Sequence, residues 1–133
     1  MADAVATQVL VDTARRAILK FTDISDSTGE SAVVKVDVST LAPYQGSACT
    51  SVSIEKLEAI TDGMGVDILW DATADVVALT LGPDQFLTFD FSRFGGLTNN
   101  AGAGKTGDVS FTTVGAASGS RYTIILECLK NYG

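Results

Sequence analysis

The sequence predicts an all-β fold: a jelly-roll-like β-sandwich of eight or nine short antiparallel strands. Three observations carry this expectation. Apolar residues recur with period two over most of the chain, as strands with one buried face require. Turn-forming clusters punctuate these runs at fairly even spacing. No segment makes a convincing amphipathic helix; 4–19 has some propensity, but Val9, Val11 and its threonines favour extended backbone.

Each element follows from its own pattern. Val5, Val9 and Val11 share a parity near the N-terminus. Segment 16–24 is β-rich with a less clean alternation. Val34, Val36 and Val38 alternate with Val33, Lys35 and Asp37. Val52 and Ile54 alternate with Ser51, Ser53 and Glu55. Val66, Ile68 and Trp70 alternate with Asp67, Leu69 and Asp71. Segment 75–81 is again β-rich. Leu87, Phe89 and Phe91 alternate with Thr88 and Asp90, and Val109 and Phe111 with Asp108 and Ser110. The last run is the longest: Tyr122, Ile124, Leu126 and Cys128 against Arg121, Thr123, Ile125 and Glu127. Turns fall at Asp26–Gly29, Ala42–Gly46, Asp62–Gly65, Asp71–Asp75, Gly82–Asp84 and Gly115–Gly119. Glycine there accepts positive φ and proline presets φ.

At 133 residues the chain has the size of one domain, and no linker divides it. Residues 1–14 precede the main strand series and read as an extended N-terminal arm. Residues 15–133 read as a single β-sandwich domain. The polar stretch 93–107, with five glycines, lies between two good strands; loops this long are functional or mobile.

Charge narrows the function classes. Sixteen acids face nine bases, a net charge of −7, and only Arg15 and Arg16 among the bases are adjacent. Nucleic-acid binding rests on neutralising phosphates, so direct contact with DNA or RNA is not expected. An anionic membrane surface is disfavoured for the same reason. The N-terminus lacks a basic leader region and no run approaches the ~20 apolar residues of a membrane span, so synthesis in the cytoplasm is expected. Cys49 and Cys128 read as two buried free thiols.

Motifs with chemical overtones are weak. Gly104-Lys105-Thr106 ends like a phosphate-binding loop, but Asn99 stands where that motif needs glycine, and a strand pattern follows instead of a helix. Asp23, Asp26 and Glu30 crowd one turn without the spacing of a calcium loop; a solvated turn is expected. Asp67, Asp71 and Asp75 read as surface charge. Histidine is absent, which removes the commonest general base and metal ligand. The sequence therefore implies no catalytic residues, no cofactor and no metal: a protein that binds and builds.

Three phrases carry a family resemblance: AVATQVLVDTARRAILKFTDISDSTGESAVVKVDVSTL, GMGVDILWDATADVVALTLG and FDFSRFGGLTNNAGAGKTGDVSFTTVG. They resemble small virion structural proteins of tailed phages, particularly marine and cyanobacterial ones. The resemblance implies a place in the particle. By size and β-class it is similar to capsid decoration (cement) proteins, which implies a homotrimer on the outer capsid surface, bound to the major capsid protein. Candidate contacts are Val5, Val9 and Val11 on the arm, Phe86 and Phe94 at a strand end, and Ile125 and Leu129 on the odd parity of the last strand. Two other readings stay open: a tail or head–tail joint protein, and a jelly-roll module binding a ligand such as a glycan.

Overall fold

The computed structural model describes residues 4–27 and 29–132, the side chains of Ala4 and Phe94 excepted. These residues form nine strands and two short 3-10 turns. The strands are β1 (Ala4–Asp12), β2 (Arg16–Asp26), β3 (Val33–Val36), β4 (Ser51–Asp62) and β5 (Gly65–Trp70). They continue with β6 (Val76–Leu81), β7 (Phe86–Asp90), β8 (Val109–Val114) and β9 (Ser118–Asn131). All pairings are antiparallel and build two sheets, β1-β2-β9-β4-β7 and β3-β8-β5-β6.

The order identifies the fold. Pairs β2–β9, β3–β8, β4–β7 and β5–β6 are nested, as if one long hairpin had been rolled up. Two four-stranded sheets, β2-β9-β4-β7 and β3-β8-β5-β6, then face each other. This is a jelly roll. β1 is an addition, a fifth strand on the β2 edge of the first sheet.

The core follows the period-two pattern. On β2, Ala17, Leu19 and Phe21 point inward; on β9, Tyr122, Ile124, Leu126 and Cys128 do the same. Val66, Ile68 and Trp70 of β5 and Val109 and Phe111 of β8 answer from the opposite sheet. Phe111 lies edge-on to Phe21 (5.3 Å) and to Tyr122 (5.9 Å), binding the two sheets at their centre. Such aromatic pairs contribute about 0.5–1.5 kcal/mol each beyond the area they bury.

Alternation fails where a bulge inserts a residue. The register slips between Val34 and Val36, and Lys35 there turns into the sandwich with its side chain 5% exposed. It slips again between Ile54 and Lys56, where the Glu55 side chain is 8% exposed. Both charges are paired: Lys35 with Glu30, and Glu55 with Arg16. Val34, on the parity assigned to the core, is exposed.

Residues 4–12 of the expected arm are extended and pair along their length with β2. The boundary expected at residue 14 falls in the β1–β2 turn, where Thr13 and Arg16 bond reciprocally. Asp12 fixes the end of β1. Its carboxylate takes the Lys130 ammonium, whose side chain is fully buried, and accepts the Ala42 amide (2.9 Å). Residues 1–3 of the arm lie outside the described residues.

Candidate interaction surfaces

Five of the candidate residues fall on two separate surfaces of the five-stranded sheet. The first is β1. In register, Val5 faces Asp23, Thr7 faces Phe21 and Val9 faces Leu19, so these three belong to the sheet's inner side. Yet Val5 is 47% exposed and Val9 55%. The cause is topological: the second sheet has four strands, and no strand of it faces the fifth of the first sheet. Leu10, at the bulge, and Val11, now on the outer side opposite Ile18, are also exposed. β1 thus presents an open edge carrying four large apolar side chains.

The second surface lies on the outer side of the same sheet toward β7. Register places Thr22, Thr123, Ile60 and Phe86 in one row across β2, β9, β4 and β7. Ile125 sits one step away, opposite Lys20 and Glu58. Ile60, Phe86, Thr123 and Ile125 line a shallow apolar depression with Glu58 at its rim. Phe86 is 72% exposed, whereas Phe89 and Phe91 stack at 5.8 Å and pack against the core. Parity and the outer row place Phe86, a candidate contact, on the open side of the sheet. Leu129 lies on the same outer side but opposite Arg16, away from the depression. The backbone of Phe94 closes a 3-10 turn, and its side chain lies outside the described residues.

The acidic sets have local tasks. Glu30, expected in a solvated turn, is buried: the Tyr122 hydroxyl donates to its Oε1 (2.6 Å) and Lys35 pairs with its Oε2. Asp23 is fully buried on the inner side of β2. Asp71 accepts from the Thr106 hydroxyl (2.8 Å), and Asp75 accepts the Ala72 amide (3.0 Å). Among the described residues no three His, Cys, Asp or Glu side chains gather as metal ligands would.

The Gly104-Lys105-Thr106 stretch is a packed corner. A Cβ on Gly104, at φ +76°, would lie 1.9 Å from Thr73 Oγ1; one on Gly107 would lie 1.9 Å from the Thr50 carbonyl. The stretch therefore closes against the 71–75 turn and the start of β4, and Leu97 bridges to Ile54. Burial pushes the Cys128 thiol up to about 12, and burial also raises Cys49. Neither sulfur is poised as a thiolate nucleophile.

No family model matches the chain, and no curated protein matches it. Among solved structures it is similar to a cupin superfamily protein from Desulfitobacterium hafniense DCB-2. That likeness has a TM-score of 0.41 at 12% identity, covering 98% of this chain and 82% of that one. It is also similar to variants of a family 29 carbohydrate-binding module, one complexed with cellulohexaose. For that complex the TM-score is 0.41 at 10% identity, covering 95% of this chain and 91% of that one. Likenesses at this level carry no argument about function, and the jelly roll rests on the strand order itself.

Proposed function

We propose that this protein is a non-catalytic assembly protein of a tailed-phage particle, a decoration protein that docks on the major capsid protein of the head. The observation that supports the reading is the pair of separate apolar surfaces at opposite ends of one rigid sheet. β1 and β7 are its two edges, on the order of 20 Å apart across four inter-strand spacings. A protein that straddles a joint needs two docking surfaces held at fixed separation, one for the shell and one for a neighbouring subunit. It then stabilises only the assembled shell, by mass action. Net charge −7 suits an outer surface better than one facing packed DNA. On this reading the Phe86 depression meets the shell, because an exposed aromatic over an apolar shelf is a typical anchor.

The test is co-sedimentation of the purified protein with empty heads of the phage that encodes it. Wild type is expected to bind, and Phe86→Lys to lose most binding while keeping its melting temperature. Wild-type protein that ignores heads, and is missing from purified particles by mass spectrometry, would sink the proposal.

A second reading is favoured by the same exposed ring. Phe86, in one depression with Glu58 and Thr123, has the make-up of a stacking platform with polar neighbours, as a sugar ring requires. Oligosaccharide binding on a glycan panel, lost in Phe86→Ala, would support this reading over the shell.

A further inference from the structure

We infer that the open edge of β1 pairs with β1 of a second copy of this chain, joining two jelly rolls through one continuous sheet about a two-fold axis. This names the occupant of one of the two surfaces above. It stands whether or not the other surface meets a shell.

Four sheet edges are available, and they are not equivalent. β3 is four residues long and interrupted by its bulge. β7 is five residues long and ends on Asp90, with Asp84 just before it. β6 is uncharged but only six residues long, and Val77 is its one well-exposed large apolar side chain. β1 runs for nine residues and carries no charge between Asp3, which precedes it, and Asp12, while Val5, Val9, Leu10 and Val11 are exposed. Natural edges are usually protected by lysine, proline, a bulge or a covering element. Among the described residues this one has, along 4–11, only the bulge at Leu10, which leaves Ala4–Val9 regular.

Two features select a second copy as the occupant. The first is charge. Each chain carries −7, so two copies repel except where a surface is free of acids. The uncharged stretch of β1 is such a surface.

The second is self-complementarity. An antiparallel pair centred on Thr7 sets Thr7 opposite Thr7 of the second copy. It also sets Val5 opposite the second copy's Val9, and Val9 opposite its Val5. The four valines then form one apolar strip on the inner side, where neither second sheet reaches. β-branched residues directly opposed across a pair are favourable neighbours. Asp12 of each copy falls beyond the paired stretch, still held by its own Lys130. The contact is isologous, so it closes at two and does not propagate. The homotrimer that the family resemblance implies is the rival assembly.

The experiment is solution mass by light scattering over a concentration series, with two variants and a salt titration. Wild type is expected to be dimeric. Thr7→Lys puts two lysines face to face at the axis and is expected to weaken the dimer about tenfold or more, with head binding per subunit governed separately by Phe86. Raising salt is expected to tighten the dimer several-fold, because it screens like charges and removes no ion pair from the contact. Thr7→Cys is expected to cross-link between copies under mild oxidation, because directly opposed strand residues have Cα atoms about 4.5–5.5 Å apart, within disulfide reach. Val77→Cys on the β6 edge serves as the control. A monomeric or trimeric wild type, a mass unchanged by Thr7→Lys, or cross-linking at residue 7 no faster than at residue 77 would each overturn the inference.

Discussion

β1 and β9 lie on either side of β2, and both pair with it in antiparallel register. Both are rich in valine, isoleucine and leucine on alternate positions. On β9 the inward residues Ile124, Leu126 and Cys128 are fully buried; on β1 the inward Val5 and Val9 are about half exposed. The difference does not lie in the strands. It lies in what stands opposite: β8 covers β9, as the Phe111–Tyr122 contact shows, and no strand covers β1. Alternation tells which side of a strand is apolar. Only the strand count of the facing sheet tells whether that side is dry.

Substitutions of matched chemistry on the two strands would break this comparison if it is wrong. Leu126→Ala removes a fully buried side chain and is expected to cost about 2–5 kcal/mol in chemical denaturation, the range of core truncations that leave a cavity. Asp12→Ala comes next, at about 3 kcal/mol. Asp12 ties β1 to the interior, and its loss leaves the buried Lys130 ammonium beside the Ala42 carbonyl. Val9→Ala is expected to change stability by no more than about 0.5 kcal/mol, because its site is already half wet. If Val9→Ala costs as much as Leu126→Ala at dilutions where the protein is monomeric, β1 is covered in the monomer and the comparison fails.

The smallest effect sharpens the comparison between carboxylates. Asp12 holds a cation. Asp108 instead loses hydration at the β8 start, with Asp37 and Asp71 nearby, and its pKa is raised chiefly by burial. A raised acid binds its proton more tightly folded than unfolded. Its ionised form therefore penalises the fold, the penalty growing as pH rises from the ordinary carboxylate range through the raised value. Asp108→Asn keeps an oxygen to accept the Val38 amide. It is expected to raise the melting temperature slightly at pH 7 and to lose that gain as pH falls below the carboxylate range. A gain that persists in acid would show that repulsion and desolvation are not the cause.

Much of the fold is legible in residue spacing. The inward sets of β5, β8 and β9 are the alternating sets of the sequence, and Trp70 and Phe111 sit in the core as their parity requires; β2, whose alternation is less clean in the sequence, alternates cleanly in burial. The second half of β4 was harder to see. Lys56, Leu57, Glu58 and Ala59 favour helix on propensity, and pairing with both β9 and β7 overrides it. Lys35 and Glu55 could not be placed by counting, because each sits at a bulge that resets the count. Glu30 looked solvated because its partners, Lys35 and Tyr122, arrive from other strands. The surfaces were half legible. Val5, Val9 and Val11 on the expected arm and Phe86 at a strand end are candidate contacts from the sequence alone. The row joining Phe86 to Ile60 and Thr123 exists only once β4 stands between β7 and β9.

The nested pairing has a consequence for how the chain comes to be folded. β9 lies between β2 and β4, so Arg16 waits for Leu129 and Ser51 for Asn131. Such distant partners place the domain among slow folders, on the millisecond-to-second scale. During synthesis the hairpins β5–β6 and β4–β7 can close early. β2 and β4 meanwhile remain open edges until Ser118–Asn131 has left the ribosome, roughly a second of elongation for that strand alone. Over that interval nascent chains crowded on one messenger are exposed to one another through β2 and β4, and β9 is the keystone that ends the exposure.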